Sequence, residues 1–221
     1  MRVLGTVGLP GSGKGEAATV AREADIPVVT MGDVIRDACR DRGLDPAEHH
    51  GTVAKRLREE DGPTAIADRT VERLRAVDDD VVLVDGLRAP AELDTFRDAF
   101  GDAFTLVAVE APFEVRAERA ADRGRDDSDG DREAFRERED REKSFGLVEV
   151  MDRADVTVDN TGSLAAYHSR IRELLGVDDA DAGGDRATDE ASANGDDPAG
   201  GDEGERQGER DDATADTPEA E

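Results

Sequence analysis

The feature that most constrains this chain is a glycine-rich turn between an apolar run and a helix-forming segment. The β-branched and apolar residues Val3 to Val7 precede it, an alanine-rich segment at residues 16–24 follows it, and the turn itself reads Gly8-Leu9-Pro10-Gly11-Ser12-Gly13-Lys14-Gly15. This matches G-x-x-x-x-G-K, a pattern whose backbone N–H groups wrap a polyphosphate. Glycine permits the tight bend, and the helix that follows points its positive end at the anion. We therefore predict that residues 8–15 bind ATP, with Lys14 on the β- and γ-phosphates.

One position departs from the pattern. Gly15 stands where a serine or threonine hydroxyl normally contacts Mg²⁺, and Glu16 follows it. The metal ion would then be held by phosphates, water and other carboxylates. Glu16 either favours the helix dipole or binds a water of the metal shell, and the sequence leaves both roles open.

A second predicted site element is the carboxylate at the end of an apolar run. Val81 to Val84 form a strand that is apolar on both faces, as in the interior of a parallel sheet, and Asp85-Gly86 follow. Ligands of open parallel sheets bind at the carboxyl ends of the strands. We expect Asp85 to hold Mg²⁺ directly or through water.

Strand-like and helix-like segments alternate along residues 1–177, which predicts an α/β fold with a parallel sheet and right-handed crossovers. The predicted strands are 3–7, 27–31, 80–85, 104–109 and 155–159. The predicted helices are 16–24, 33–42, 52–60, 64–76, 91–100, 112–123, 133–144 and 163–175, with a loop at 124–131. His49 and His50 have no partner at metal-ligand spacing and are assigned to a loop, and Phe135, Phe145 and Tyr167 are assigned to packing.

The chain resembles the P-loop small-molecule kinases. Gly8-x-Pro10-Gly11-x-Gly13-Lys14-Gly15 is similar to the adenylate-kinase loop, including the glycine after the lysine. Gly32-Asp33-Val34-Ile35-Arg36 resembles the helix whose arginine grips the acceptor phosphate, and Asp85-Gly86-Leu87-Arg88 resembles the D-G-F-P-R segment without its proline. The resemblance implies that Arg36 and Arg88 hold an acceptor phosphate. Asp33 is then a candidate base or an acceptor-orienting carboxylate.

The later part of the chain resembles dephospho-CoA kinase. The similar segments are Arg119-x-x-x-Arg123, the charged helix after it, and residues 154–164. The resemblance covers about residues 1–176 and is strongest to an archaeal family of dephospho-CoA-kinase-like P-loop proteins. It implies a five-stranded P-loop NTPase fold with acceptor-side helices at 32–76 and a lid at 112–145. Arg119 and Arg123 would stabilise the transferring phosphoryl group from that lid. Arg132, Arg136, Arg138 and Arg141 are interpreted as surface ion-pair partners of the glutamates beside them.

Charge and composition exclude several classes of protein. The chain has 221 residues and a net charge of −27, which repels nucleic acid phosphates. It contains no apolar run near the roughly 20 residues that span a bilayer. The opening apolar stretch is too short for a secretory signal, and Cys39 is the only cysteine. An acidic chain with only three lysines suits molar salt, so we expect a cytoplasmic protein of a halophilic archaeon.

The carboxyl-terminal segment has a distinct composition. Residues 178–221 carry 17 acids and 3 arginines and contain no Val, Ile, Leu, Phe, Tyr or Met. Such a segment cannot bury enough apolar surface to offset its chain entropy. We predict a disordered acidic tail at 178–221 after one domain at 1–177.

Two functions follow from these predictions. The first is an ATP- and Mg²⁺-dependent kinase whose acceptor is a nucleoside monophosphate or a dephospho-CoA-like molecule. The second is an ATP-binding or ATP-hydrolysing switch that acts on a partner protein, which the absence of a hydroxyl at Gly15 favours. The paired arginines Arg36 and Arg88 distinguish the two, because a switch has no need for an acceptor site.

Overall fold

The structure is a computed structural model that describes residues 1–123 and 132–177 and, for Arg123, the backbone only. The predicted loop at 124–131 and the predicted acidic tail lie outside the described residues.

Five parallel strands form one sheet in the order β2-β3-β1-β4-β5. The strands are β1 (Arg2–Val7), β2 (Val28–Thr30), β3 (Val81–Asp85), β4 (Phe104–Glu110) and β5 (Val156–Asp159). Strand β1 lies between β3 and β4, and its register places Thr6 opposite Asp85. The strand order therefore reverses at β1, and the carboxyl end of β1 is the point where such a sheet binds ligands.

Nine α-helices and one short 3₁₀ turn connect these strands within the described part of the chain. The helices are α1 (Lys14–Glu23), α2 (Met31–Asp41), α3 (Pro46–Asp61), α4 (Ala65–Arg75), α5 (Pro90–Phe100), α6 (Phe113–Arg123), α7 (Arg132–Ser144), α8 (Leu147–Asp152) and α9 (Leu164–Leu175). The 3₁₀ turn is Gly101–Ala103.

Side-chain caps explain where several helices begin. Thr30 accepts a hydrogen bond from the backbone N–H of Asp33 and starts α2. Asp45 accepts from the N–H of Ala47, and Pro46 occupies the first position of α3, where its missing N–H is harmless. Ser163 starts α9 in the same way. Each such cap stabilises its helix by about 1 kcal/mol.

The apolar core lies on both faces of the sheet. On one face α1 and α9 pack over residues such as Leu4, Leu83 and Val107. On the other face α2 to α5 and α8 cover a larger cluster, in which the rings of Phe96 and Phe104 stack at 5.6 Å. Because helices cover both faces, the strands read as continuous apolar runs.

The predicted order of strands and helices is confirmed, with two differences in the helices. Helix α3 starts at Pro46 rather than at residue 52, so His49 and His50 lie in a helix and their assignment to a loop was wrong. Helix α8 was not predicted, because six residues with two buried side chains carry too little periodicity to detect.

Candidate active site

The glycine-rich turn follows β1 and leads directly into α1. Gly11 and Gly13 have φ angles of 78° and 112°, which L side chains rarely adopt. A Cβ on Gly11 would lie 2.5 Å from the carbonyl oxygen of Arg116. The bend requires both glycines. Close packing requires them too, because a Cβ would meet α6 at Gly11 and the side chain of Asn160 at Gly13. We call residues 8–15 the glycine loop.

Three buried side chains from other elements hold the carbonyl groups of the glycine loop. The guanidinium of Arg116 donates to the Pro10 carbonyl at 3.0 Å. Asn160 donates to the Ser12 carbonyl at 2.8 Å, and the Tyr167 hydroxyl donates to the Gly13 carbonyl at 3.0 Å. Carbonyl oxygens repel anions, so occupying them from behind prepares the loop to present N–H groups to a phosphate.

The charges of four other side chains act on Lys14. Its Nζ donates to the carbonyls of Gly8 and, at 3.3 Å, of Leu9. Burial lowers the pKa of Lys14 to about 8, although the charges of Asp85 and Glu142 act to raise it. The guanidinium groups of Arg88 and Arg138 act with burial to lower it. We call Lys14, Asp85, Arg88, Arg138 and Glu142 the loop cluster.

Asp85 ends β3 beside the glycine loop, as its position in the sequence predicts. Its Oδ1 accepts a hydrogen bond of 2.9 Å from the hydroxyl of Thr6 on β1. The chain then turns at Gly86, where φ is 111°, and leads to Arg88. Thr6 and Asp85 are partners in the parallel pairing of β1 with β3. The register of that pairing therefore fixes the position of the Asp85 carboxylate.

Helix α7 presents one face to this site although almost every residue in it is charged. Phe135, Arg138, Glu139 and Glu142 follow the helical spacing i, i+3, i+4 and i+7. Phe135 and Glu139 are buried, and Glu142 pairs with Arg88 at 2.8 Å. The interpretation of Arg138 as a surface ion-pair partner missed its place in the loop cluster. Phe135 is the single aromatic residue of this charged helix, and in the sequence it indicates which face of the helix packs inward.

A buried ion pair joins the glycine loop to α7. Arg116, which also binds the Pro10 carbonyl, pairs with Glu139 at 2.7 Å, and Lys143 pairs with the same carboxylate at 2.5 Å. Burial acts to raise the pKa of Glu139, but hydrogen bonds from Lys143 and Arg116 outweigh it and hold the pKa below its usual value. Glu139 therefore stays ionised under the glycine loop.

The structure describes the two arginines predicted for the lid, Arg119 and Arg123, to different extents. Arg119 is half-buried in α6, and its charge acts on the hydroxyl of Tyr167, which donates to the Gly13 carbonyl. The pKa of Tyr167 is raised, mainly by burial and also by the carboxylates of Glu16 and Asp85. The predicted role of Arg123 lies outside the described residues, since its side chain is not among them.

Asp33 and Arg36 bind each other at the start of α2. The Arg36 guanidinium donates to Asp33 Oδ1 at 2.5 and 3.0 Å, and the Thr30 hydroxyl donates to Asp33 Oδ2 at 2.6 Å. Burial acts to raise the pKa of Asp33, but the hydrogen bonds from Thr30 and Arg36 outweigh it and the pKa lies below its usual value. A carboxylate in this environment is a weak base and is well suited to orient Arg36.

A cavity of about 570 Å³ is lined in part by the segment after Asp85. Gly32 and Ile35 of α2, His50 and Arg58 of α3, and the segment from Gly86 to Ala89 contribute to its wall. Its lining is largely apolar, with Met31, Ala54, Ile66 and Phe145 among the contributors. We call it the acceptor cavity, since it lies where the resemblance implies an acceptor.

Buried Glu92 stabilises the wall between the acceptor cavity and the glycine loop. Its carboxylate accepts hydrogen bonds from the backbone N–H groups of Arg88 and Ala89 and from the guanidinium of Arg58. Only 1% of its side chain is exposed. Glu92 therefore joins α3 to the chain segment that carries Arg88. Sequence reasoning missed it, although a proline at the first position of a helix with a glutamate two residues later is a helix-start pattern.

Glu16 pairs with His168 of α9 at 2.7 Å. Its position in the first turn of α1 also suits the helix dipole, and this contact adds a structural partner to the two roles that the sequence left open.

No group of three or more His, Cys, Asp or Glu side chains within residues 1–123 and 132–177 is arranged to hold a metal ion. Asp85 and Glu142 are the two carboxylates whose charges act on Lys14, and Glu142 is paired with Arg88. That donor set fits Mg²⁺, which in proteins is commonly held by one or two carboxylates together with substrate phosphates and water. In the same part of the chain, no helix is long and apolar enough to cross a membrane.

Comparison with known proteins identifies the family. A family model described as an AAA domain matches residues 7–136. The chain is 57% identical over 180 residues to a UPF0200 protein of Halobacterium salinarum, across 80% of this chain and 94% of that protein. The chain belongs to the UPF0200 family. A UPF0200 protein of Methanosarcina mazei is 40% identical over 176 residues, across 79% of this chain and 94% of its own.

These UPF0200 relatives are archaeal and include proteins of a halophile, as the acidic composition predicted. Among solved structures, TT1252 from Thermus thermophilus superposes with a TM-score of 0.56 at 21% identity, across 79% of this chain and 96% of that one. At this identity the likeness concerns the fold alone. The P-loop NTPase fold predicted for this UPF0200 chain is confirmed, while its resemblance to dephospho-CoA kinase stays a prediction.

Proposed function

We propose that this protein is an ATP-dependent kinase that transfers the γ-phosphoryl group to a small acceptor bearing a phosphate. The observation that carries the proposal is the shared wall between two sites. The chain from Asp85 to Arg88 starts beside the glycine loop and ends in the lining of the acceptor cavity. A phosphoryl donor and an acceptor would therefore meet at one chain segment, which is what an in-line transfer requires.

The glycine loop and α1 would hold the phosphates of ATP, with Lys14 on the β- and γ-phosphates. Asp85 would hold Mg²⁺, directly or through water, and the ion would neutralise charge on the phosphate oxygens. Lys14 must leave the Gly8 and Leu9 carbonyls to reach a phosphate. A polyphosphate offers stronger, charge-assisted hydrogen bonds than these carbonyls do.

Arg36 and Arg88 would hold the acceptor phosphate. Both are paired with acids in this structure, Arg36 with Asp33 and Arg88 with Glu142. These pairs are partly exposed and therefore contribute little stability, so a dianionic phosphate can compete for the arginines. Because the pKa of Asp33 is low, we assign Asp33 to orienting Arg36 and the acceptor rather than to removing a proton.

The lid would complete the site after both substrates bind. Arg119 and Arg123 would approach the transferring group from α6, and α7 carries Arg138 into the loop cluster. Closure would also exclude water, which a kinase must prevent from attacking ATP.

The alternative is an ATP-dependent switch that acts on a partner protein. It is favoured by the glycine at position 15 and by the internal pairing of both acceptor arginines, which leaves the acceptor site satisfied without a ligand. The acceptor cavity favours the kinase, since a switch has no need for a second cavity beside the phosphates.

An acceptor screen tests the proposal. Purified protein in molar KCl with Mg²⁺ and ATP would be assayed for ATP consumption with AMP, CMP, UMP, GMP, dephospho-CoA and unphosphorylated nucleosides. One phosphate-bearing compound should raise turnover well above the basal rate, and nucleosides should not. If ATP binds tightly and nothing in the panel stimulates transfer, the switch becomes the better account.

Two variants in α1, one of them also in the glycine loop, serve as controls for the screen. Lys14→Ala should lose ATP binding or transfer while its circular dichroism stays unchanged. Arg22→Ala, an exposed position in the last turn of the same helix, should keep both. Unchanged affinity and turnover in Lys14→Ala would contradict the role of the glycine loop.

A further inference from the structure

His50 is a titratable group in the wall of the acceptor cavity, and the predicted machinery does not use it. It lies on the same face of α3 as Ala54 and Arg58, at positions i, i+4 and i+8, and all three line the cavity. Its ring is half-buried and hydrogen-bonded to the backbone of Gly32 at the start of α2. Three elements therefore meet at this side chain: α2, α3 and the segment after β3.

Charged groups of both signs surround the acceptor cavity near His50. Arg36 of α2 and Arg88 of the segment after β3 both act on its ring electrostatically. Lys55, Arg58 and Glu59 of its own helix also line the cavity, as does Glu92 of α5. Glu92 is already bound to Arg58 and two backbone N–H groups, and Asp33 is bound to Arg36. These pairings, and that of Arg88 with Glu142, reduce the positive charge that His50 meets, but Arg36 and Arg88 still act to lower its pKa.

The protonation of His50 follows from this environment. Burial lowers its pKa, and the two arginines lower it further, against a smaller effect of the hydrogen bond to Gly32. The ring is therefore neutral at neutral pH in the protein alone. An anion placed between Arg36 and Arg88 would cancel their repulsion and favour the charged ring.

We propose that His50 is a third recognition group for the acceptor's phosphate, and that it takes up a proton from solvent when the dianion binds between Arg36 and Arg88. This rests on the proposed function, since it assigns the phosphate end of the acceptor cavity. Binding and protonation are linked, so the factor by which protonation tightens binding equals the factor by which binding favours protonation. Phosphate-bearing acceptors would then bind more tightly in slightly acidic solution.

Histidine NMR on the unmodified protein tests this directly, because the chain has only three histidines. The ring C–H signals would be followed against pH at constant KCl, with Mg·ADP filling the glycine loop. Sulfate is the probe, since it remains a dianion throughout the range in which histidine titrates. The variants His50→Gln and His49→Gln assign the signals and leave His168, which is bound to Glu16, as an internal reference.

Sulfate should move the titration midpoint of His50 to higher pH and leave those of His49 and His168 in place. Each pH unit of movement corresponds to about a tenfold tighter binding of sulfate to the protonated protein. In calorimetry, sulfate affinity should rise as pH falls in the parent and in His49→Gln but not in His50→Gln. A His50 midpoint that sulfate leaves unchanged overturns the inference.

The outcome separates this inference from the kinase proposal. If sulfate moves the His50 midpoint but no acceptor stimulates ATP consumption, the anion site stands and the kinase proposal fails. If an acceptor is phosphorylated and neither it nor sulfate moves the midpoint, the kinase proposal stands and the role of His50 fails.

Discussion

The Arg116 guanidinium and the Glu139 carboxylate form an ion pair of 2.7 Å, with only 4% and 8% of their side chains exposed. The same guanidinium donates to the Pro10 carbonyl, so one side chain connects the glycine loop to α7. A buried ion pair gains little net stability over apolar residues, because both charges lose their hydration. Its position indicates that it holds α7 against the glycine loop.

The first prediction concerns that pair. Arg116→Met should lower the free energy of unfolding by about 3 kcal/mol, since it leaves Glu139 buried with Lys143 as a partly exposed partner. The double variant Arg116→Met/Glu139→Leu should recover part of the loss, because it buries no unpaired charge. Urea unfolding at constant KCl measures both values.

Arg132→Met is the matched control for Arg116→Met. Arg132 pairs with Glu114 at 3.6 Å, and both side chains are more than half exposed. Its removal should change the free energy of unfolding by less than about 1 kcal/mol. Equal losses from Arg116→Met and Arg132→Met would mean that burial does not determine the strength of the first pair.

The second prediction concerns the pH dependence of nucleotide binding. The pKa of Lys14 is lowered to about 8, and a bound polyphosphate would raise it. Between those two values binding takes up a proton, so the affinity for ATP should fall as pH rises through about 8. Fluorescent-nucleotide titrations from about pH 7 to about pH 10 would show the decline.

Lys14→Arg is the control for this pH dependence, because a guanidinium keeps its charge throughout that range. The variant should bind ATP with an affinity that changes little across the same range, whatever its absolute strength. Parallel declines in the parent protein and the variant would assign the effect to another group.

The third prediction concerns Arg36. Arg36→Ala removes a charge-assisted contact worth about 1.5–3 kcal/mol, so the acceptor KM should rise by about ten- to a hundredfold with a smaller change in ATP affinity. Arg40→Ala lies one turn further along α2 and removes an exposed arginine paired with Asp37. It should leave both constants unchanged. A larger effect of Arg36→Ala on ATP affinity than on the acceptor would place this residue at the donor site instead.

The fourth prediction concerns the acidic carboxyl-terminal segment. Deleting residues 178–221 should leave the melting temperature and ATP binding at high salt nearly unchanged, because the segment has no core-forming side chains. Differential scanning calorimetry of the full chain and the truncated chain, at equal KCl, compares them. A drop of many degrees would show that the segment contributes to packing.

The order of strands and helices could be predicted because the signals are local. β-branched runs between turn residues marked β1 and β3, and glycine spacing with a lysine marked the phosphate site. The rule that ligands meet the carboxyl ends of parallel strands selected Asp85 correctly as a neighbour of the glycine loop. Applied to β5, the same rule selects Asn160, which anchors the Ser12 carbonyl.

The sequence by itself determined the phosphate loop, the alternation of elements and the acidic, lysine-poor composition, because each depends on residues that are near neighbours or on counts. Only the tertiary structure decided that Arg116, Asn160 and Tyr167 hold the loop from behind, and that His50 lines the acceptor cavity. These contacts join residues more than a hundred positions apart, or depend on which face of a helix is covered. Neither is fixed until the helices pack, because the local sequence does not determine which polar side chains will find a buried partner.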